Sequence, residues 1–363
     1  MNKPLAPGAT IGILGGGQLG RMLCVAASRL GFMCHIFEPG AHPPAGQVAA
    51  KVTTAPYSNT QALMDFANSV DIITFEFENV PTQALDILEA IKPVYPGREA
   101  LRISQDRLTE KAFLDDLGLQ TAPYRAVDKQ EDLEKALATI GTPAILKSRR
   151  FGYDGKGQVR LNSVKDAEKA LAYIADAPAI LEGFVDFSHE VSVIGARGRD
   201  GQIACFDPGE NVHLNGILHT TTLPARLSIG QRTDAVLIAA KVMNALDYVG
   251  VLGLELFVTP KGFIVNEFAP RVHNSGHWTQ QGCTIDQFEQ HIRAIAGWPL
   301  GDGRRHSNVK MLNLIGSDFD QVPALAKNGN SAIHLYGKAD VKPGRKMGHI
   351  NEITGPANPT KTG

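Results

Sequence analysis

At 363 residues, 43% of them hydrophobic, the chain is too long for one ordinary core and predicts two or three packed domains. A formal net charge of -1 removes any general attraction to nucleic acid or an anionic membrane, so an anionic ligand must be held by local groups. Four scattered cysteines (Cys24, Cys34, Cys205, Cys283) without a CxxC pair argue against zinc or disulfides, and no apolar run approaches the roughly 20 residues of a spanning helix; a soluble cytoplasmic protein is expected.

Residues 10–14, TIGIL, read as a short buried strand followed at once by GGGQLG. Leu19, Met22, Leu23, Ala26, Ala27 and Leu30 then recur at helical spacing until Gly31. MCHIFEP (33–39) and DIITFEF (71–77) are further strands, 60–68 and VPTQALDILEAI are helices, and VYPG is another strand end. Alternating strand and helix predict a parallel doubly wound α/β sheet over residues 1–105.

From Asp106 the pattern changes. RLTEKAFLDDLG is an amphipathic helix, TAPYRAV is extended, and PAILKSRR (143–150) runs as a strand into the Gly-rich basic loop FGYDGKGQ. A helix over 164–176 and the strands AILEGFV and EVSVIGAR follow; antiparallel hairpins are expected from about residue 204, with helices at 229–247 and 284–296. The expected divisions are 1–105, 106–186 and 187–363, and the last dozen residues, rich in Gly, Pro and Thr, read as a mobile tail.

Gly15, Gly17 and Gly20 fit G-x-G-x-x-G between strand and helix, and Glu38 stands where a dinucleotide fold keeps its ribose-binding acid. Physically, the loop offers backbone N–H groups and a helix N-terminus to an anion without naming it. An NAD-dependent oxidoreductase and a plain tight turn both remain open on this motif alone.

LGLELFVTPKGFIVNEF reads as a hairpin about the turn Thr259–Gly262, and counting outward from the turn brings Glu255 nearly opposite Glu267. Facing carboxylates repel unless a cation lies between them, and all-oxygen ligands favour Mg2+ or Mn2+ bridging to phosphates. The alternative is that one glutamate turns to solvent or pairs with Arg271. Arg271, His273, Asn274, Ser275 and His277 crowd donors directly afterwards, which suits an anion site. Upstream, Lys147 ends a strand, a glycine- and lysine-bearing loop follows that can close over phosphates, and LEGFV leads to Glu190, a carboxylate suited to ribose hydroxyls.

GGGQLGRM (15–22), QDRLTEK (105–111), RRFGYDGKGQ (149–158), FSHEVSVIGARG (187–198), NEFAPRVHNSGHWT (266–279), LNLIGSD (312–318) and KPGRKMGH (342–349) together resemble the N5-carboxyaminoimidazole ribonucleotide synthetase family of the ATP-grasp superfamily. The resemblance runs from about residue 10 to residue 350 and implies a pre-ATP-grasp sheet followed by an ATP-grasp fold with antiparallel sheets. It implies ATP-dependent carboxylation of 5-aminoimidazole ribonucleotide with bicarbonate, through carboxyphosphate, by a homodimer. ATP would contact Arg107, Lys147, the lid residues Gly152, Tyr153, Asp154, Gly155, Lys156, Gly157 and Gln158, the hinge Glu182, Gly183, Phe184 and Val185, then Glu190, His213, Asn266 and Glu267. Glu255 and Glu267 would hold magnesium. Gly17, Gln18 and Leu19, with Glu76, would line the ribonucleotide site, the glycine loop meeting its 5′-phosphate side, and Lys342 with Arg345 or Lys346 would bind that phosphate. Tyr153, Asp154, Arg271, His273 and Asn274 would surround bicarbonate and the amine, with Lys346 positioning the site and Asp154 either accepting the amine proton or holding the lid closed.

Two departures stand out. Ala269 occupies a position where many superfamily members carry a third metal ligand, Asn, and the chain stops soon after GHI (348–350), so a longer C-terminal extension is expected to be reduced. A formate-dependent glycinamide ribonucleotide transformylase of similar architecture is the rival within ligase chemistry, but Gln18 stands where that relative carries Glu, and it lacks HNSGHWT.

Overall fold

A computed structural model describes residues 3–152, 156–173 and 177–357. Short apolar runs bounded by glycine or polar turns form four parallel strands, β1 (Thr10–Leu14), β2 (Met33–Phe37), β3 (Lys51–Thr53) and β4 (Ile72–Phe75), in the order β3-β2-β1-β4. Helix α1 (Gln18–Arg29) packs on one face of this sheet, and α2 (Thr60–Asn68) with α3 (Thr82–Glu89) on the other. The VYPG segment contributes only an isolated bridge from Val94 to Ile73.

Helices α4 (Arg98–Ser104) and α5 (Arg107–Asp116) lead out of the first sheet. Asp106 caps α5 by accepting from Leu108 N–H at 3.0 Å and also takes Arg149 at two points, Nε at 3.0 Å and Nη2 at 2.7 Å, so one carboxylate starts the helix and anchors the root of the basic loop. A second sheet holds β5 (Tyr124–Val127), β6 (Ala144–Ser148), β7 (Gln158–Leu161) and β8 (Ala179–Gly183) in the order β5-β8-β6-β7, backed by α6 (Gln130–Ile140) and α7 (Ala167–Tyr173).

The third sheet has nine strands: β9 (His189–Arg197), β10 (Ile203–Cys205), β11 (Gly209–Leu214), β12 (Ile217–Thr222), β13 (Gly250–Thr259), β14 (Gly262–Ala269), β15 (Ser307–Ile315), β16 (Ser331–Leu335) and β17 (Lys346–Pro356). Their order is β14-β13-β9-β11-β12-β15-β17-β16, with β10 added to β9. Helices α8 (Ile229–Ala245), α9 (Thr279–Gly282) and α10 (Gln287–Ala296) accompany it. Asp286 caps α10 by accepting from Phe288 and Glu289 N–H, and Gly297 ends it at φ +74°. From α10, buried His291 reaches both other layers: Nε2 meets Thr74 Oγ1 of β4 at 2.8 Å, and Nδ1 accepts Val251 N–H of β13 at 3.1 Å. One apolar cluster, from Ile11 and Leu23 through Phe288 to Trp278 and Met311, joins the first and third sheets.

Several expectations need correcting. Antiparallel pairing starts with β5, well before residue 204, because the small sheet is antiparallel throughout. The helix expected at 164–176 is a 3-10 turn (Val164–Asp166) followed by α7, and residues 174–176 lie outside the described residues. The first part of the expected mobile tail is strand up to Pro356, paired with Ser307 of β15, and residues 358–363 lie outside the described residues. Helix α5, grouped by sequence with the small sheet, sends Leu114 into the core of the large one. No helix among the described residues is long and apolar enough to cross a membrane.

Candidate active site

The hairpin β13–β14 pairs in simple register from Thr259↔Gly262 to Leu256↔Val265, then shifts so that Glu255 faces Glu267. The shift is a bulge with Asn266 as the extra residue, and Asn266 Nδ2 turns to donate to Glu255 Oε2 at 3.2 Å. Burial first, then the facing Glu267, pushes the Glu255 carboxyl up to about 7. Burial opposes ionisation at Glu267 too, but Arg107 Nη1, 2.6 Å from Oε2, outweighs it and holds that carboxyl down at about 2. Neither glutamate pairs with Arg271: Asn266 holds Glu255 and Arg107 holds Glu267. Two facing carboxylates with a side-chain amide alongside are hard oxygen donors that fit Mg2+ or Mn2+. Ligand atoms of Glu190, His213 and Glu255 also lie within 4.8 Å of one another, and His213 Nδ1 sits 3.0 Å from Glu190 Oε2.

Lys147 of β6 points at Glu182 of β8, Nζ to Oε2 2.9 Å, and Lys111 of α5 approaches the same oxygen at 3.7 Å. Glu182 is buried and its Oε1 has no partner, an acceptor left for a donor such as an exocyclic amine. Beyond it, Gly183 N–H and Phe184 N–H bond to the carbonyls of Pro123 and Pro143, Arg160 lies over the Phe184 ring, and Val185 is half-buried. At the lid root, Ser148 N–H donates to Gly157 O at 2.7 Å, and a Cβ on Gly157 (φ +70°) would meet Ser148 Oγ at 2.5 Å, so only glycine fits there. Gly152, Lys156 and Gln158 flank that root, Gln158 paired with Lys147, whereas Tyr153, Asp154 and Gly155 lie outside the described residues.

After β14 the chain brings Arg271 and His273 beside the acid pair. Arg271 is held by Glu78, Nη2 to Oε1 2.6 Å, from the TFEFEN segment of the first sheet. His273 Nε2 is 3.4 Å from Glu255 Oε1, its Nδ1 meets Ser275 Oγ at 2.8 Å, and burial, then the charges of Arg271 and Lys346, lower its pKa to about 3. Asn274 is held in a reciprocal amide pair with Asn313, 3.0 and 2.7 Å, which fixes its side chain in the loop and leaves its second Nδ2 hydrogen as a donor.

Residues 8–105 match the ribonucleotide synthetase preATP-grasp domain, 112–288 the ATP-grasp domain, and 310–358 the phosphoribosylaminoimidazole carboxylase C-terminal domain. The chain is 55% identical over 352 residues to the N5-carboxyaminoimidazole ribonucleotide synthase of Brucella melitensis, covering 96% of this chain and 97% of that protein. The chain belongs to the N5-carboxyaminoimidazole ribonucleotide synthase family. It is also 42% identical over 354 residues to the synthase of Bacillus subtilis, covering 96% of this chain and 93% of that one. Among solved structures, an ADP complex of an N5-carboxyaminoimidazole ribonucleotide synthetase superposes with TM-score 0.94 at 40% identity, covering 97% of this chain and 94% of that chain. The Aspergillus clavatus synthase in complex with ADP and 5-aminoimidazole ribonucleotide gives 0.91 at 32%, covering 96% and 94%.

In this member of the synthase family the glycine loop is already filled by the protein's own acids. Gly17 N–H and Gly20 N–H both donate to the Glu76 carboxylate, the latter at 2.6 Å, and Gly16 N–H donates to Glu38 at 2.8 Å. A dinucleotide pyrophosphate would have to displace two carboxylates from those donors, which argues against the dinucleotide reading. Leu19 is buried and Gln18 half-buried at the start of α1. Lys342 and Arg345 lie in an exposed loop about Asp340, Lys342 Nζ 3.7 Å from its Oδ2 and Arg345 Nη1 donating to its carbonyl at 3.0 Å. That loop is tied to the first sheet through Gln47 Nε2, which donates to Gly337 O at 2.8 Å. Glu78, Glu110, Lys111 and Asn313 were not singled out from sequence. Glu110 and Lys111 stand inside the quoted QDRLTEK motif, which was their available signal.

Proposed function

We propose that this chain is an ATP-dependent carbon–nitrogen ligase of de novo purine biosynthesis. It carboxylates 5-aminoimidazole ribonucleotide with bicarbonate, giving the N5-carboxyamino product, ADP and phosphate. The observation that carries the reading is the bulge-set register of Glu255 and Glu267, with Arg107 and Lys147 toward the nucleotide strands and Arg271 and His273 toward the ribonucleotide sheet.

Arg107, Lys147, the 152–158 lid, the 182–185 hinge, Glu190, His213 and Asn266 hold ATP. Glu255 and Glu267 hold magnesium, or manganese in its place, which when bound neutralises charge on the transferring phosphoryl group. A bicarbonate oxygen forms a bond to the γ-phosphorus as the β–γ bridging P–O bond breaks and ADP leaves. The resulting carboxyphosphate survives only where water is excluded, which the lid provides. Arg271 offers a planar fork to the bicarbonate oxygens, and bicarbonate competes with Glu78 for it. The substrate amine then forms its N–C bond as the C–O bond to phosphate breaks, and Asp154 takes the amine proton while Tyr153, Lys346 and neutral His273 position the group. Gly17, Gln18 and Leu19, with Glu76 fixing the loop, line the ribonucleotide site, and Lys342 and Arg345 meet its phosphate.

Phosphate release from MgATP tests this directly. Release requiring 5-aminoimidazole ribonucleotide and bicarbonate together supports it, as does loss of carboxylation in Asp154→Asn; release driven by formate with glycinamide ribonucleotide sinks it. We read the assembly as a homodimer, for which light scattering should give twice the 39.0 kDa chain mass.

A further inference from the structure

Helix α5 carries three charged residues on one face, Arg107, Glu110 and Lys111, spaced i, i+3 and i+4. All three act on three consecutive residues of β14. Arg107 Nη1 holds the Glu267 carboxylate at 2.6 Å, Glu110 Oε1 accepts Phe268 N–H at 2.7 Å, and Lys111 Nζ donates to Asn266 O at 2.7 Å. Strand β14 is the edge of the nine-stranded sheet; Val265 N–H donates outward to Gln120 O at 2.8 Å beside a bridge to Thr121, and beyond that bridge the outward peptide groups have no strand partner. Glu110 and Lys111 are 3% and 1% exposed, and burying charged side chains in place of water or an apolar helix face is costly unless each finds a partner. Here the two buried side chains grip the peptide groups immediately before and after Glu267, at the bulge that turns its side chain toward Glu255.

We propose that Glu110 and Lys111 are positioning residues for the metal–triphosphate: they clamp the backbone on both sides of Glu267 and so keep its carboxylate opposed to Glu255. Neither touches substrate or metal. Lys111 also reaches Glu182 at 3.7 Å, so the same helix ties the acid pair to the strand carrying the nucleotide hinge. This inference rests on the ATP site described under Proposed function, and its test is kept separate from the overall reaction.

The experiment is calorimetric titration of the full-length protein with ATP, once in EDTA and once in Mn2+, together with the Mn2+ dependence of ATP turnover. Wild type should bind ATP more tightly with the metal. In Glu110→Met the metal's enhancement should fall by about tenfold or more, the range seen when supports of metal ligands are removed, while affinity in EDTA changes little; in Lys111→Met, which also withdraws a cation from Glu182, the enhancement should fall beyond any loss seen in EDTA. Glu110→Gln keeps an acceptor for Phe268 N–H and should restore the enhancement. If the methionine variants fail to fold, Glu110→Asp, one methylene short of Phe268 N–H, must show the same metal-specific loss. Equal weakening with and without metal, unchanged enhancement, or Glu110→Gln behaving like Glu110→Met would overturn the proposal. A wild type whose ATP affinity ignores Mn2+ would sink both the clamp and the ATP-site reading. Failure of aminoimidazole ribonucleotide to stimulate turnover would contradict only the proposed reaction, because the binding arms contain ATP and metal alone.

Discussion

Glu255 and Glu267 face each other with opposite shifts before any cation arrives: burial and the facing carboxylate raise the pKa of Glu255, while Arg107 outweighs burial and lowers that of Glu267. A strict period-two count about the turn places Asn266 opposite Glu255, so the sequence brought the two acids only to within one residue of facing each other. The bulge at Asn266 was not legible, because an extra residue in a ladder answers to neighbouring elements rather than to local propensity. Glu76 shows the same limit. Its side chain fills a loop 59 and 56 positions away in sequence, a contact that no local pattern encodes. Glu267→Gln keeps the shape but removes the charge that both Arg107 and a divalent cation require. Turnover with ATP should fall by about a hundredfold or more, with the residual rate less dependent on Mg2+ concentration. Activity near wild type with unchanged metal dependence would contradict the metal assignment.

At the scale of elements, the loop after β14 is shaped by amide pairs as much as by charge. Asn274 and Asn313 exchange hydrogen bonds between this loop and β15, and Asn313 Nδ2 also donates to Leu218 O at 2.8 Å. Asn313→Leu would leave the Asn274 amide and the Leu218 carbonyl without those partners, at about 1–3 kcal/mol for each buried group left unpaired. Urea unfolding should show a matching drop in midpoint, and kcat should fall with it because Arg271 and His273 flank the displaced segment. A variant as stable as wild type would show that the amide pair contributes nothing. Motif order revealed which strands bear the chemistry, but α4, α6 and β3 passed unnoticed: β3 and α4 are short, and packing in the folded chain distinguishes them from loop, whereas α6 carries Leu133, Ala136 and Leu137 at helical spacing before Gly141, a readable signal that was overlooked. Helix α5 was recognised as a helix, while its docking on β14 rather than on the small sheet required the fold.

Across the whole molecule, buried neutral histidines hold the layers: His291 joins the first sheet to the third, and His35 ties Ser69 to Thr53 within the first. His291 must accept Val251 N–H at Nδ1, so its proton sits on Nε2 toward Thr74 Oγ1. Burial lowers its pKa to about 3, and burial, then the Lys51 charge, lowers that of His35 to about 4. Unfolded, both rings titrate near the ordinary 6.5. The folded chain therefore holds fewer protons there below that pH, so their stabilisation is complete above 6.5 and is lost as pH falls toward 4 and 3. Each ring adds up to about 1.4 kcal/mol per pH unit in that window. Urea unfolding at pH 7, 5.5 and 4.5 should show the decline, and His291→Asn, which keeps an acceptor for Val251 without a titratable ring, should show a shallower one; an equal slope in the variant would contradict this role.

The central claim is that ATP activates bicarbonate beside the Glu255–Glu267 pair. Bicarbonate labelled with 18O, supplied with MgATP and 5-aminoimidazole ribonucleotide in a short single-turnover reaction, tests it at the bond being made. Phosphorylation of a bicarbonate oxygen carries one labelled oxygen into the released phosphate, as mass spectrometry would detect. Phosphate free of label, released at the same rate as product forms, would mean that water rather than bicarbonate receives the phosphoryl group.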